Sequence, residues 1–356
     1  MAIPVVLGMS GGVDSSVAAS ILQEQGYRVI GLFMKNWEDD GICQAAKDYE
    51  DVARVCDRLG IDYYSVSFAA EYWEEVFKVF LQGLQSGMTP NPDILCNKHI
   101  KFDLMLKKAK ALGGAFLATG HYCQTDGSRL LRAVDTAKDQ SYFLACIGKG
   151  VLADVLFPVG HMEKKDVRAK ALALGLSTAQ KKDSTGICFI GERRFRTFLK
   201  EHLHLQKGYI RMYPDGDIVG EHGGIALYTI GQRQGLGLGG EGEPWFVVAK
   251  DAAKNELLVV RGEHPALLRP CLWVESFSWI GDAPCMPASL TAKIRYRQSD
   301  QVCTVHEEGA GYRVDFQVPQ RAVTPGQIIV LYDGPVCLGG GEILIAPVSG
   351  AQGKSS

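Results

Sequence analysis

Two groups of residues in this sequence have types and spacings that could do chemistry: a loop near the start, and two cysteines farther on. The loop, LGMSGGVDSS, follows an apolar run and contains no lysine. Glycines let backbone N–H groups approach an anion, and a helix beginning at Val13 would point its positive end at the same place. The loop therefore predicts a phosphate site, with a turn that merely caps a helix as the alternative. Because it matches neither GxxxxGK[ST] nor GxGxxG, it does not indicate a kinase, a GTPase or a dinucleotide-binding protein.

Two of the cysteines stand in surroundings that favour a reactive thiolate. In MTPNPDILCNKHIKF the prolines are expected to delay a helix until about Asn97, which would place Cys96 just before a helix N-terminus and close to Lys98. Cys188 lies in KKDSTGICFIGERRF, a glycine-interrupted loop between basic flanks. A helix dipole and neighbouring cations both lower the pKa of a thiol. Inert, buried cysteine is so common that local chemistry alone leaves that alternative open.

The composition is that of a globular protein in a reducing compartment. The chain has 356 residues, of which 46% are hydrophobic, and this length suggests two or three domains. Its ten cysteines form no CxxC pair, so we expect reduced thiols, most of them inert core residues. No stretch approaches the roughly 20 apolar residues of a spanning helix, and the first residues lack a secretion signal. We therefore expect a cytoplasmic protein with no membrane partner.

The net charge of −2 hides a strong local asymmetry. Acidic residues outnumber basic ones eleven to three between residues 36 and 75, whereas basic residues outnumber acidic ones ten to four between residues 161 and 200. A basic stretch of this kind is a candidate for contact with a polyanion. We therefore expect residues 161–200 to contribute to a nucleic-acid surface.

The first half of the chain alternates strand and helix patterns, which predicts an α/β fold with a parallel, doubly wound sheet. The expected strands are Ile3–Leu7, Val29–Met34, Tyr63–Phe68 and Ala115–Thr119. From about Lys207 glycine becomes dense and short alternating strands follow at hairpin spacing, which is typical of small β-modules or barrels. The predicted division is a catalytic domain at 1–206, a β-rich connector at 207–266, a C-terminal β-barrel at 267–348 and a disordered tail at 349–356.

The loop resembles the SGGxDS signature of the PP-loop ATP pyrophosphatases, which cut ATP between its α and β phosphates. Five further segments, in order along the chain, resemble the tRNA-specific 2-thiouridylases of that group. These segments are NPDILCNKHIKF, DTAKDQSYFL, DSTGICFIGER, YTIGQRQGLG and the RYR strand. The resemblance implies an adenine nucleotide alpha hydrolase-like first domain, and an enzyme that converts wobble uridine to 2-thiouridine.

The resemblance implies ATP and Mg²⁺ as cofactors. Ser10, Gly11, Gly12, Ser15 and Ser16 would cradle the pyrophosphate, and Asp14 would hold magnesium or organise the loop. Met34 would contact the adenosine, although ordinary core packing is its alternative role. Together with Ser16, the residues that the resemblance implies for ATP binding are Gly8, Met9, Ser10, Gly11, Gly12, Val13, Asp14, Ser15, Met34 and Gly120.

The resemblance also gives the two cysteines their roles. ATP would adenylate the C2 oxygen of the uridine, after which sulfur displaces AMP. Cys188 would carry the sulfur as a persulfide, Cys96 would be the second, nucleophilic thiol, and a transient Cys96–Cys188 disulfide is expected. Asp93 would act as acid or base or position the target base, its alternative being a turn residue at a helix start. Whether the persulfide attacks directly or Cys96 releases hydrosulfide stays open.

The implied partners are tRNA(Lys), tRNA(Glu), tRNA(Gln) and a persulfide donor, either a cysteine desulfurase or a sulfur-relay protein. The alternative role of His121 is a hydrogen-bonded structural residue. The alternative for the basic strand with Arg295 and Tyr296 is a solvated strand face. An amidating or ligating PP-loop enzyme, and an RNA-binding module with a regulatory nucleotide site, are the rival functions. The residues implied to contact tRNA or the target base are Asn91, Pro92, Asp93, His121, Lys138, Asp139, Gln140, Arg295, Tyr296 and Gln327.

Overall fold

The protein is represented by a computed structural model that describes residues 2–37, 44–183 and 195–344. In these ranges no helix is both long and apolar enough to cross a membrane. Cys188 and the tail at 349–356 lie outside the described residues, as does most of the motif around that cysteine.

The first part of the chain alternates strands and helices. Its elements are β1 (Pro4–Met9), α1 (Val13–Glu24), β2 (Arg28–Lys35), α2 (Gln44–Leu59), β3 (Asp62–Ser67), α3 (Ala69–Tyr72), α4 (Lys78–Gln85), α5 (Pro92–Leu95), α6 (Leu106–Ala111), β4 (Phe116–Ala118), β5 (Cys123–Thr125), β6 (Leu130–Arg132), α7 (Ser141–Leu144), β7 (Val155–Leu156) and α8 (Lys164–Ala173). Two helical segments with wider, π-type hydrogen bonding, Trp73–Phe77 and Cys96–Met105, join α3 to α4 and α5 to α6.

Five of these strands form one parallel sheet in the order β3-β2-β1-β4-β7. Alternate residues of the central strand face opposite ways, so Val5 and Leu7 pack into one core cluster and Val6 into another. Both faces of the sheet are therefore covered, as a parallel sheet requires. The predicted α/β class is confirmed, and the four expected strands lie within a few residues of β1 to β4.

The second part of the chain is built mainly from strands. Its elements are α9 (Phe195–His202), β8 (Gly208–Met212), β9 (Ile218–His222), β10 (Trp245–Asp251), β11 (Glu256–Arg261), β12 (Leu268–Trp279), β13 (Ala288–Lys293), β14 (Gln301–Glu308), β15 (Gly311–Arg321), β16 (Ile328–Asp333) and β17 (Val336–Leu344). Strands β10-β11-β8-β9 form a four-stranded sheet, and β12-β15-β14-β13-β16-β17 close into an antiparallel barrel through the β12–β17 pairing. The expected C-terminal barrel is confirmed.

One connection between the two parts was not foreseen. The hairpin β5–β6 belongs to the first part of the sequence, yet β6 pairs with β17 of the barrel, with Cys337 opposite Leu130. The barrel sheet is thus extended by two short strands from the first part of the chain. The predicted domain boundaries stay a prediction, and this hairpin ties the first predicted domain to the third.

Candidate active site

The loop between β1 and α1 brings backbone amides to the carboxyl edge of the parallel sheet. Gly12 is the N-cap of α1, and among the described residues no side chain caps this helix. Gly11 has a φ of +72°, and a Cβ there would lie 2.6 Å from the carbonyl oxygen of Asp48. Both conformation and space therefore require glycine at this position, and the first amides of α1 are left for an anion.

The serines of the loop differ in exposure and in partners. Ser10 is exposed, and its backbone N–H donates to Ser15 Oγ at 3.3 Å. Ser16 is fully buried, donates from Oγ to the carbonyl of Gly12 at 2.8 Å, and accepts a hydrogen bond from Thr178 Oγ1 at 2.9 Å. The Ser16 hydroxyl therefore helps to fix the start of α1, and the expected contact of Ser16 with pyrophosphate stays a prediction.

Asp14, in the first turn of α1, is paired with a lysine from α8. Lys164 Nζ donates to its two carboxylate oxygens at 2.7 and 2.8 Å, and the Tyr122 hydroxyl donates to Oδ1 at 2.8 Å. The Lys164 side chain is only 11% exposed, so this ion pair is largely shielded from water. Burial and the Asp14 carboxylate both raise the pKa of Tyr122, which keeps its hydroxyl a donor.

These contacts bear on the expected magnesium site. In the described part of the chain no group of three or more His, Cys, Asp or Glu side chains is arranged to hold a metal ion. Mg²⁺ prefers carboxylate and phosphate oxygens, and the Asp14 carboxylate is already neutralised by Lys164. The bonds of Asp14 to Lys164 and Tyr122 fit its alternative role of organising the loop, and its role as a magnesium ligand stays a prediction.

A second lysine reaches the loop from outside it. Lys181 Nζ donates to the carbonyl oxygen of Gly11 at 2.9 Å and pairs with Asp48 at 2.7 Å and Asp51 at 2.6 Å. Asp48 and Asp51 belong to the acidic stretch at 36–75, and Lys181 to the basic stretch at 161–200. The two stretches therefore meet each other within the molecule, which was not expected from the sequence.

Asp183, close to Lys181, gathers three further cations. Its carboxylate lies 2.8 Å from Lys138 Nζ, 2.9 Å from Lys164 Nζ and 2.7 Å from the Arg168 guanidinium. Burial would raise the pKa of the Asp183 carboxyl, but the hydrogen bonds from Lys138 and Lys164 outweigh it and lower the pKa to about 2. Lys164 also binds Asp14, so one lysine links the carboxylate of the loop after β1 to the carboxylate of Asp183.

Residues after β2 and β4 complete the edge beside the loop. A Cβ on Gly120 would lie 2.8 Å from the backbone nitrogen of Ser15, so glycine lets this segment pack against the start of α1. Met34 is partly buried at the end of β2 and packs against the core, as its alternative role predicts. His121 Nδ1 lies 2.8 Å from Thr119 Oγ1, and burial lowers the pKa of His121 well below its ordinary value. An uncharged imidazole follows, and its contact with tRNA stays a prediction.

Cys96 lies within a helix rather than before one. The helix begins at Pro92, which suits a first helical position because that residue has no helical hydrogen bond to lose, and it continues through Cys96–Met105. The predicted start at about Asn97 is therefore too late. The thiol is buried, with the residue 2% exposed, and Asn36 Nδ2 donates to Sγ at 3.9 Å.

The residues just before Cys96 shape the start of its helix. Asn91 is the N-cap, and its Oδ1 accepts hydrogen bonds from the backbone N–H groups of Asp93 at 3.1 Å and Ile94 at 3.4 Å. Asp93 and Cys96 are three residues apart and so share a face of the helix. The predicted contacts of Asn91, Pro92 and Asp93 with the target base stay predictions, and the oxygen of Asn91 already has a structural role.

The loop and Cys96 lie at the same edge of the sheet. Ser10 directly follows β1 and Asn36 directly follows β2, two neighbouring parallel strands in which Met9 is opposite Phe33. Asn36 contacts Cys96, and the far end of the Cys96 helix returns to the same strands, since a Cβ on Gly8 would lie 3.0 Å from Met105 Cε. The predicted phosphate loop and the thiol of Cys96 therefore lie at the same edge of the sheet, the edge at which open α/β folds bind ligands.

Cysteines without a basic cluster behave as the sequence predicts. Burial raises the pKa of Cys56 to about 11, of Cys146 to about 11 and of Cys303 to about 12, which keeps all three as neutral thiols at physiological pH. Cys188 lies outside the described residues, so its persulfide role and its disulfide with Cys96 stay predictions.

The segment 138–140, expected to contact tRNA, is tied to the loop region instead. Lys138 pairs with Asp183, and Gln140 Oε1 accepts from the backbone N–H of Tyr122 at 2.9 Å. Asp139 is 7% exposed, and its carboxylate accepts from the backbone N–H groups of Ala133 and Ser141 and from the Ser141 hydroxyl. The Asp139 carboxylate therefore has a structural role within the chain, and the predicted contact of Asp139 with tRNA stays a prediction.

The implied tRNA contacts of the barrel lie near its junctions. Arg295 and Tyr296 stand in a turn after β13 rather than on the strand that the sequence predicts, because the strand ends at Lys293. The Arg295 guanidinium donates to the carbonyl oxygens of Ala322 at 2.8 Å and Ile230 at 3.3 Å. Gln327 Nε2 donates to the carbonyl oxygen of Thr89 at 2.6 Å, just ahead of the Cys96 helix. Their contacts with tRNA stay predictions.

Three protein-family models match successive parts of the chain. They are described as a tRNA methyl transferase HUP domain at residues 3–192, a tRNA methyl transferase PRC-barrel domain at 196–261 and an aminomethyltransferase beta-barrel domain at 269–343.

Relatives match the chain over nearly its whole length. It is 55% identical over 352 residues to the tRNA-specific 2-thiouridylase MnmA of Alkaliphilus oremlandii, covering 95% of this chain and 96% of the relative. The enzyme of the same name from Stutzerimonas stutzeri is 55% identical over 352 residues, covering 95% and 94%. The tRNA-specific 2-thiouridylase MnmA 2 of Geobacillus kaustophilus is 53% identical over 349 residues, again covering 95% and 94%. The chain therefore belongs to the tRNA-specific 2-thiouridylase family.

Proposed function

We propose that this chain uses ATP to replace the C2 oxygen of the wobble uridine in tRNA(Lys), tRNA(Glu) and tRNA(Gln) with sulfur, releasing AMP and pyrophosphate. The observation that carries the proposal is the shared edge, where the amides of α1 and the thiol of Cys96 both lie. Activating an oxygen and delivering sulfur to the same carbon requires the two sites to be neighbours.

The loop supports the first step, adenylation of the C2 oxygen, which is otherwise a poor leaving group. Backbone N–H groups at Gly12 and Val13 would face the phosphates, and Lys164 supplies the positive charge that the loop sequence lacks. A phosphate entering here competes with the Asp14 carboxylate for Lys164. The described residues offer no resident magnesium site, and no step is assigned to that ion.

The two cysteines support the second step. In one branch a persulfide on Cys188 attacks C2 with its terminal sulfur and AMP leaves. The Cys96 thiolate then attacks the Cys188 sulfur, which forms a disulfide and frees the thiolated base. In the other branch Cys96 attacks the persulfide and releases hydrosulfide, which attacks C2. In both branches the persulfide comes from a cysteine desulfurase or a relay protein, and a reductant must reopen the disulfide.

Access to the base requires that the wobble nucleotide leave its stack, which costs about a few kcal/mol. Exposed cations near the junctions, Arg295 among them, would provide binding energy through tRNA phosphates. The predicted roles of Asp93 beside the base and of His121 beside tRNA belong to this proposal. Affinity for tRNA should therefore fall as salt rises.

Methyl transfer is a second candidate, because two of the matching family models are described by that activity. The loop lacks the GxGxxG pattern of dinucleotide-type loops and carries a PP-loop signature instead. Two further rivals are a PP-loop ligase, which would need neither thiol, and an RNA-binding module with a regulatory nucleotide site.

One reaction separates these functions. Purified protein is mixed with ATP, Mg²⁺, a persulfide donor and unmodified tRNA, and the nucleosides are analysed by mass spectrometry. We expect 2-thiouridine together with pyrophosphate release that depends on tRNA, and we expect no 2-thiouridine from Cys96→Ser or Cys188→Ser. Cys285→Ser, which changes an exposed cysteine, is the control and should retain activity. Absence of 2-thiouridine with a competent donor would overturn the proposal, and methylated nucleoside with S-adenosylmethionine would favour the methyl-transfer candidate.

A further inference from the structure

Three buried polar side-chain atoms find no hydrogen-bond partner within the described ranges: Asn36 Oδ1, Asn97 Oδ1 and Arg321 Nε. Two of them belong to carboxamides beside Cys96. Asn97 is its neighbour in the helix, and Asn36 Nδ2 lies 3.9 Å from its Sγ. A buried acceptor without a donor lowers the stability of the fold. The orientation of each carboxamide therefore needs an explanation in what its nitrogen contacts.

The two carboxamides use their nitrogen atoms differently. Asn97 Nδ2 donates to the carbonyl oxygen of Phe143 at 3.0 Å, which joins the Cys96 helix to α7. Asn36 directs its amide at sulfur, which is a weak acceptor when it is a neutral thiol. A thiolate accepts far more strongly because the bond is then assisted by charge. The orientation of Asn36 is therefore better matched to an ionised sulfur.

Burial by itself favours the neutral form of a thiol over the thiolate. The buried cysteines Cys56, Cys146 and Cys303 all have a raised pKa, with burial as the main cause. Cys96 is 2% exposed and so meets the same penalty. A nucleophilic thiolate at this position therefore needs a donor aimed at the sulfur.

The charged and titratable groups on the elements around Cys96 have mixed signs. His99 lies 3.9 Å from Glu75, and burial lowers the pKa of His99. The charged and titratable groups on the Cys96 helix with its continuation α6, and on the segments packed against it, are Glu71, Tyr72, Glu74, Glu75, Asp93, Lys98, His99, Lys101, Asp103, Lys107, Lys108, Lys110 and Tyr142.

We infer that Asn36 is a positioning residue for Cys96, whose amide N–H holds the sulfur in its reactive thiolate form. The inference rests on the proposed function, since a nucleophilic Cys96 matters only if sulfur transfer uses it. Asn36 directly follows β2, so the inference gives the end of this strand a role in the site. The end of β1 then supplies the predicted phosphate loop, and the end of the neighbouring β2 supplies the donor to the thiol.

The test is the pH dependence of Cys96 alkylation by iodoacetamide in the full chain, read for this residue by peptide mass spectrometry. In Asn36→Ala we expect the apparent pKa to rise by about one to two units, so that alkylation at neutral pH slows about tenfold or more. In Asn36→Asp, which keeps the size but replaces the donor with an anion, the rise should be at least as large. Asn97→Ala removes a carboxamide next to the same cysteine and should leave the profile unchanged.

Several outcomes would overturn the inference. These are an unchanged profile in Asn36→Ala, a wild-type profile in Asn36→Asp, or an equal shift in Asn97→Ala, which would indicate general loosening. If Asn36→Ala does not fold, the similarly sized Asp variant carries the test. Failure of the proposed function is seen separately, as wild-type protein that makes no 2-thiouridine whatever its alkylation profile.

Discussion

The cations at residues 164–183 and the barrel cation Arg295 carry the same charge but have opposite kinds of partner. In the first region Lys164, Arg168 and Lys181 are each paired with carboxylates at 2.6 to 2.9 Å. Arg295 instead donates to carbonyl oxygens, which carry no compensating charge. The region with the most basic residues is therefore internally neutralised, and the more isolated cation is the better candidate for a polyanion.

The nucleic-acid surface expected at residues 161–200 stays a prediction, but Lys164, Arg168 and Lys181 already hold carboxylates of this chain. The described lysines and arginines of this stretch largely hold the acidic residues of the same chain, around the loop. A cation in such an ion pair binds an anionic ligand only by giving up its carboxylate partner. Its electrostatic effect is therefore confined to ligands that reach the pair directly. The positive charge of a cation that is bound only by neutral carbonyl oxygens is not cancelled, so this cation attracts any anion that approaches.

Lys164→Met should have the largest effect on activity, because it removes the cation that α8 places beside the loop. We expect tRNA-dependent pyrophosphate release to fall about 100-fold or more, as when one donor to a transition-state charge is lost. The neighbouring Lys165→Met is the control, because Lys165 is 75% exposed and pairs with Glu163. Equal rates in the two variants would mean that paired cations at the loop are purely structural. A thermal melt establishes that Lys164→Met is folded.

Arg295→Gln should weaken tRNA binding without touching the ATP step. We expect the KM for tRNA to rise about tenfold and the slope of log affinity against log salt to fall by about one. Lys170→Gln removes a cation from the basic stretch that is paired with Glu24 at 2.7 Å, and it should change neither quantity. Should Lys170→Gln alter the salt slope and Arg295→Gln leave it unchanged, the comparison would be reversed.

Local patterns predicted the strands well and long-range partners poorly. The runs around β1 to β4 are apolar and bounded by turn residues, so their positions followed from the sequence. The hairpin β5–β6 has only three residues per strand and is stabilised by β17 far along the chain. Likewise the Lys164–Asp14 pair joins residues 150 positions apart, so no local pattern could show that the loop gains a lysine.

Some details of the site could not be predicted for a different reason, because one residue type serves two roles. Pro92 was interpreted as a helix breaker, yet proline is equally suited to the first helical position. Asp139 and Ser16 are polar residues in functional motifs, but both are buried and bonded to the protein itself. Their burial depends on packing between distant segments, and no spacing within the motif reveals it.

Asp183→Asn should destabilise the folded chain by about 1–2 kcal/mol, because three cations lose their shared anion. The pH dependence gives a sharper test. The Asp183 pKa is lowered to about 2, so its contribution to stability is present in full above about pH 4 and is lost as pH falls through about 2. The difference in unfolding free energy between wild type and variant should therefore shrink in that window, as measured by denaturant titration. A difference that stays constant from pH 5 to pH 2 would contradict the ion-pair account.

Lys250 extends the comparison to a buried cation that is held by neutral groups, and its pKa is perturbed by burial rather than by an ion pair. Its Nζ donates to the carbonyl oxygens of Tyr228 at 2.9 Å and Met88 at 3.2 Å, and burial lowers its pKa to about 8. The unfolded chain keeps this proton up to about pH 10, so between pH 8 and pH 10 it binds more protons than the folded one and stability rises with pH. Relative to Lys250→Met, the wild type should therefore gain about 2 kcal/mol between pH 8 and pH 10 in denaturant titrations. Lys254→Met, which changes a lysine 71% exposed, should track the wild type. A difference in unfolding free energy between wild type and Lys250→Met that does not change with pH would mean that the carbonyl oxygens compensate the buried charge as fully as carboxylates do. The contrast between Arg295 and Lys164 would then have no physical basis.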